Sequence, residues 1–213
     1  MKHPLATLLT LPLTLILLAG PAAQAQEAAP GGPAADPDLG KTLVTVFSQT
    51  GKTRLLAEAI ASKTGGDLYL IEPAAPYPAD EREIIALEEA RRYAGAPPEL
   101  KGSPPDLSPY SFVFVGSPVW FGEPPDHVKL FLESVDFGGK HVALFATAGT
   151  RPGDVIEKLG ALIVNGQVLS PSLLQVRADD WGEAAVSAKV DGFLAQVREA
   201  RAKANVSPAS ARQ

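Results

Sequence analysis

The chain has 213 residues, of which 46% are hydrophobic and none is cysteine, and its formal net charge is −5. That length accommodates one domain with a sizeable core plus irregular ends. The missing cysteines exclude disulfides, thiolate nucleophiles and thiolate metal sites, and with an acidic balance no nucleic-acid partner is expected.

Residues 1–25 read as a secretory signal. Lys2 supplies the positive start, Leu5 to Ala19 form an apolar stretch interrupted by Pro12, and Ala23-Gln24-Ala25 is a small-x-small cleavage site. The apolar stretch is shorter than the ~20 residues of a spanning helix, so an uncleaved anchor is the weaker alternative. No cysteine follows it, which excludes a lipid anchor there. The expectation is a periplasmic or secreted protein, cut after Ala25 and without stable membrane insertion. Loss of Lys2 with the leader leaves 18 basic and 24 acidic residues, a charge of −6. Residues 26–40, rich in Ala, Pro and Gly, read as a disordered linker. The domain is expected over 41–203, with a polar tail over 204–213.

Lys41 to Phe47 is rich in β-branched and aromatic residues and predicts a buried strand. From Leu55 the apolar period becomes helical, with Leu55/Ala59 and Leu56/Ile60 each four apart. Between them lies Ser48-Gln49-Thr50-Gly51-Lys52-Thr53. A strand, a tight turn and a helix in that order predict an anion site, because the first amides of the helix have no partners of their own. Gly51 removes a Cβ from the approach. Ser48, Thr50 and Thr53 add hydroxyls and Lys52 a charge, enough for one phosphate monoester. A Walker A loop would need glycine where Val46 stands, and the dinucleotide fingerprint is absent because Gly51 is alone.

Asp67 to Ile71 predicts a second strand. Pro73, Pro76 and Pro78 then forbid regular structure, and Glu81 to Tyr93 is charged and helix-prone. Phe112 to Gly116 is an apolar third strand, as expected where both sheet faces are covered. It runs into Ser117-Pro118-Val119-Trp120-Phe121-Gly122, and a helix follows over 126–134. His141 to Ala146 is the fourth strand, ending in Thr147-Ala148-Gly149-Thr150. A helix over 154–163, a fifth strand over 168–176 broken by Pro171, and a last helix over 183–203 complete the domain.

Alternating strands and helices predict an α/β fold with helices on both faces of a five-stranded parallel sheet. The doubly wound order 2-1-3-4-5 suits five strands. Ligands bind such sheets beyond the strand ends where the first and third strands diverge. The Ser48–Thr53 turn and the Trp120-Phe121 loop should therefore share a crevice. A loop tryptophan beside a phosphate site suits stacking on a planar aromatic ligand, and a hydrophobic lid is the competing role. His127 and His141 lie apart and at no ligand spacing, so no metal site is expected.

Residues 41–200 resemble the flavodoxin family, in particular members whose second loop has the form Gly-x-Pro-x-Trp-x-Gly. The resemblance is carried by Ser48 to Thr53, Pro73 to Pro78, Gly116 to Gly122, Phe131 to Lys140 and Ala146 to Gly149. It implies non-covalent FMN. Ser48, Gln49, Thr50, Gly51, Lys52 and Thr53 would hold the ribityl phosphate. Ser117, Pro118, Val119, Trp120, Phe121 and Gly122 would flank the ring, with Trp120 as the stacking side chain. Thr147, Ala148 and Gly149 would line its pyrimidine side. Many flavodoxins add a tyrosine from this third loop; residues 146–150 have no aromatic, which leaves one ring face open.

Three roles follow from one site. The first is an electron carrier docking with a redox partner protein, for which an acidic surface can steer basic partners. The second is an FMN-dependent reductase of quinones or similar acceptors, reacting at the open ring face. The third is a flavin-free binding module on the same fold. No catalytic acid, base or nucleophile is assigned, since the redox chemistry belongs to the cofactor.

Overall fold

A computed structural model describes residues 34–206. Residues 1–33, which include the expected leader, and residues 207–213 lie outside the described residues. Five strands alternate with five helices: β1 Thr42–Val46, α1 Lys52–Thr64, β2 Asp67–Leu70, α2 Glu81–Tyr93, β3 Phe112–Pro118, α3 Asp126–Glu133, β4 His141–Ala148, α4 Val155–Ala161, β5 Gln167–Val176 and α5 Glu183–Val206. The strands form one sheet in the order β2-β1-β3-β4-β5, and every neighbouring pair is parallel. Fold class and strand order are as the sequence predicts.

The side-chain period of two sorts the sheet into two faces. Val44, Val46, Phe112, Phe114 and Phe145 pack with Leu56 and Ile60 of α1 and Val190, Phe193 and Leu194 of α5. Leu43, Val113, Val115, Val142 and Leu144 pack with Val128, Phe131 and Leu132 of α3 and Val155 and Leu159 of α4. Burial on both faces explains why β1 and β3 read as unbroken apolar runs.

β5 absorbs its proline by an irregularity. Val142 pairs with Val168 but Leu144 pairs with Ser172, so four residues of β5 span two of β4. Pro171 falls inside that insertion, where the ladder does not need its missing amide.

One boundary moves. The expected linker through Gly40 ends earlier, because residues 36–40 fold onto the domain. Leu39 is fully buried among the α1 and α5 side chains. Asp36 is almost fully buried; its Oδ1 accepts from the Asp38 and Leu39 amides at 2.9 and 3.1 Å. Its Oδ2 accepts from Arg198 Nε and Nη2 at 3.0 and 2.6 Å. Burial would raise the Asp36 carboxyl, but the Arg198 guanidinium and the two amides outweigh it and hold it below the ordinary carboxylate range. A segment poor in apolar periodicity thus orders through one leucine and one carboxylate. Leu39→Ala should lower stability by about 2–5 kcal/mol, read from urea unfolding. An unchanged midpoint would return residues 36–40 to the linker.

Candidate functional site

β1 ends at Val46, and the chain turns through residues 47–51 into α1. Gly51 is the N-cap, with φ 84°, a left-handed conformation open to glycine and costly for other residues. No side chain caps this helix, and its first turn carries no acid. Among the described residues, no carbonyl or side chain accepts from the amides of residues 48–54; Leu55 is the first to bond back, to the Gly51 carbonyl at 3.0 Å. The Ser48 hydroxyl is buried without a partner. A buried hydroxyl and a run of free amides at a helix N-terminus call for an acceptor with several oxygens. A phosphate-sized anion fits that need.

The turn opens on a cleft of about 490 Å³, in the range of small-molecule sites. Gln49, Thr50, Lys52 and Thr53 line it from β1–α1, Pro118, Val119, Trp120 and Phe121 from the loop after β3, and Thr147, Ala148 and Gly149 from the loop after β4. The three sequence-predicted loops therefore meet. The remaining predicted residues of these turns do not line the cleft: Gly51 caps the helix, Ser48 buries its hydroxyl without a partner, and Ser117 is buried with its hydroxyl on the Pro118 carbonyl at 2.8 Å. Gly122 completes the Trp loop. Thr53 and Thr147 join two walls through a hydroxyl–hydroxyl bond of 2.8 Å.

The Trp loop is a two-residue reversal. Trp120 and Glu123 exchange amide–carbonyl bonds of 2.9 Å each, with Phe121 and Gly122 both at positive φ (54° and 79°). That pattern suits a type I′ turn and explains Gly122. It throws Phe121 outward, half exposed, where the Arg92 guanidinium stacks on it at 5.0 Å. Trp120 turns inward and packs edge-on against Phe47 and Tyr77 at 5.5 and 5.2 Å, while also lining the cleft. It is both lid and wall. Glu123 does not reach into the cleft: it pairs with Lys158 and lies 3.7 Å from Lys129, and the Lys158 hydrogen bond lowers its pKa.

Behind Trp120 lies a buried polar cluster. Tyr77 donates to Glu88 Oε1 at 2.5 Å, and Arg91 donates to Glu88 Oε2 at 2.5 Å and to Asp126 at 2.9 Å. Glu88 is 1% exposed. The cluster ties α2 to α3 and sets Ile84 and Ile85 against the cleft. His127 Nδ1 stands 3.5 Å from the Tyr77 hydroxyl, and the ring is fully buried. Burial pushes its pKa down to about 4.

Five lining residues escaped sequence reasoning: Ala79, Ile84 and Ile85 around the start of α2, and Arg177 and Trp181 of the β5–α5 connection. Trp181 donates its indole N–H to the Val176 carbonyl at 3.1 Å, and Lys52 sits over its ring at 4.6 Å. The cleft therefore has an aromatic on the side where residues 146–150 offer none, supplied by another loop. A tryptophan after the fifth strand was the available signal.

Among the described residues, no group of three or more His, Asp or Glu side chains is placed to hold a metal ion. No helix there is long and apolar enough to cross a membrane.

The flavodoxin family model matches residues 41–181. No curated protein matches the sequence. A flavoprotein from Lactobacillus acidophilus NCFM, solved in complex with FMN, aligns with a TM-score of 0.57 at 21% identity, covering 72% of this chain and 98% of that one. A proposed flavoprotein from Bacteroides eggerthii DSM 20697 aligns at 0.54 and 29% identity, with 72% and 98% coverage. Another from Bacteroides uniformis ATCC 8492 gives 0.55 and 28%, with 71% and 98% coverage.

His127 generates a pH prediction. Its folded pKa lies below the unfolded value of 6.5, so between pH 6.5 and about 4 the unfolded chain binds a proton that the folded chain refuses. Stability should fall by about 3 kcal/mol as pH drops through that window, at ~1.4 kcal/mol per pKa unit. Urea unfolding at pH 7, 5.5 and 4 should show this loss in the native protein and a flatter dependence in His127→Leu. Equal slopes would place the titration elsewhere.

Proposed function

Since the chain belongs to the flavodoxin family, we propose that it is an FMN-binding electron-transfer protein that works outside the cytoplasm. FMN is the cofactor of that family, and the residues present fit it. The observation that carries the reading is the set of free amides at residues 48–54, with the buried, unpartnered Ser48 hydroxyl in the same turn, beside an aromatic-walled cleft that Gln49, Thr50, Lys52 and Thr53 line.

FMN, when bound, supplies one- or two-electron redox chemistry at its ring. The protein's part is to bind, orient and shield. The Ser48 and Thr50 hydroxyls and the α1 amides would hold the phosphate, with the positive end of the helix adding attraction. Trp120, Pro118 and Val119 would cover the ring, and Thr147 to Gly149 would face its polar edge. Phe47, Tyr77 and His127 fix the Trp120 indole from behind, so little side-chain entropy is lost on binding. Ile84 and Ile85 line the mouth from α2 and would shield the bound ring from water there.

The leader over residues 1–25 supports export, and an exported protein has poor access to NAD(P)H. Its electrons would come from a membrane or periplasmic donor protein. A reductase of quinone-type acceptors is the second reading, favoured by the apolar mouth beside the cleft.

The first test is an absorption spectrum of the purified protein with and without added FMN. A two-banded flavin spectrum that survives desalting is expected; a colourless protein that cannot be reconstituted leaves the fold and removes the function. Thr50→Trp should abolish FMN binding without unfolding the protein, and undiminished affinity would dismiss the phosphate turn. Trp120→Ala should weaken binding by about 1–3 kcal/mol, by analogy with base–aromatic stacking, read from flavin fluorescence quenching. Export predicts a periplasmic or secreted product whose first residue is Gln26; a cytoplasmic protein retaining Met1 would reject it.

A further inference from the structure

The charge of the cleft is opposite to that of the chain. The whole sequence carries −5, yet the cleft is lined by two cations, Lys52 and Arg177, and by no carboxylate. The two cations are held differently. Lys52 belongs to the phosphate turn and rests on the Trp181 ring.

Arg177 stands beside the loop after β4. Its amide donates to the Ala148 and Gly149 carbonyls at 2.9 and 3.2 Å, which fixes its backbone to that loop. Its Nη2 lies 3.9 Å from the position a Cβ on Gly149 would take. No carboxylate of the described residues pairs with its guanidinium, and the acids of its own loop are engaged elsewhere. Asp179 accepts from Lys189 Nζ at 2.7 Å and from the Val176 amide at 3.0 Å. Asp180 accepts from the Gly182 amide at 2.8 Å. Glu123, across the cleft, is neutralised by Lys158 and Lys129. Arg177 is thus an unneutralised charge on the cleft wall, beside the Thr147–Gly149 loop that would line the ring.

We propose that Arg177 sets the reduction potential of the bound cofactor by stabilising its reduced, anionic form. The inference rests on the FMN reading above. Reduction at neutral pH takes up two electrons from the donor protein and one proton from solvent, FMN + 2e⁻ + H⁺ → FMNH⁻, so the ring system becomes one charge more negative. A fixed cation on the wall favours that product over the neutral oxidised ring. An acidic surface acts in the opposite direction, and Arg177 is the local answer to it. A raised two-electron potential eases reduction of the flavin by its donor and lowers the driving force for passing the pair on, so it suits an acceptor of still higher potential, such as a quinone.

Arg177→Gln and Arg177→Lys, each loaded with FMN, test this by spectroelectrochemical titration beside Kd measurements for oxidised FMN. Fold is not at stake, because Arg177 bonds to the scaffold through its backbone. In R177Q the preference for reduced over oxidised FMN should drop roughly tenfold, a two-electron potential about 30 mV lower. R177K should restore most of the loss, and affinity for oxidised FMN should stay within a few-fold of the native value. An unchanged potential in R177Q, or a collapse of oxidised-FMN binding instead, overturns the proposal while leaving the flavoprotein reading intact. A native protein that takes up no FMN overturns both.

Discussion

The strand order forces the site. β1 continues toward β2 through α1 on one face, whereas β3 continues toward β4 through α3 on the other. Two adjacent parallel strands whose connections leave in opposite directions cannot be bridged at their C-terminal ends, so a crevice opens there whatever residues occupy it. What this sequence adds is a β1–α1 turn whose amides have no internal acceptor and a glycine N-cap without a competing side chain. Most helices satisfy those donors with a serine or aspartate. This one leaves them for a ligand, at a cost of about 1 kcal/mol for the missing cap.

The second investment is the buried cluster of Tyr77, Glu88, Arg91 and Asp126. Such a cluster is a poor source of net stability, since desolvation opposes the attraction between its charges. Its contribution here is geometric. It fixes α2 across the end of the sheet and presents Tyr77 and His127 as a firm backing for Trp120. The tryptophan therefore does not have to choose between a lid and a ligand wall: one part packs inward and the rest remains available to the cleft.

Sequence patterns carried the fold and three walls of the site, the loops after β1, β3 and β4, for clear reasons. β1 and β3 are doubly buried and read as apolar runs, and Ser48 to Thr53 and Gly116 to Gly122 are local motifs whose conformation depends on adjacent residues. The parts that escaped depend on partners far away in sequence. Residues 36–40 are held by Arg198, 162 positions downstream of Asp36. Trp181 and Arg177 belong to the cleft only because β5 lies beside β4, and no local period marks them. Glu88, in a charged helix resembling a solvated surface, is buried by Tyr77 and Arg91.

The place of Arg177 is itself a consequence of the Pro171 irregularity. Between Val168 and Ser172 the fifth strand spends two more residues than its neighbour, and because two is even, Leu169 and Leu173 keep the same face toward the core. The insertion leaves packing intact and changes only the register beyond it. Val176 therefore pairs with Ala148, and Arg177 begins the next loop directly beside Gly149. With an uninterrupted register, residue 174 would pair with Ala148, and Arg177 would begin two residues, or about 7 Å, further from the strand end. A proline tolerated in a strand thus decides which charge faces the cleft.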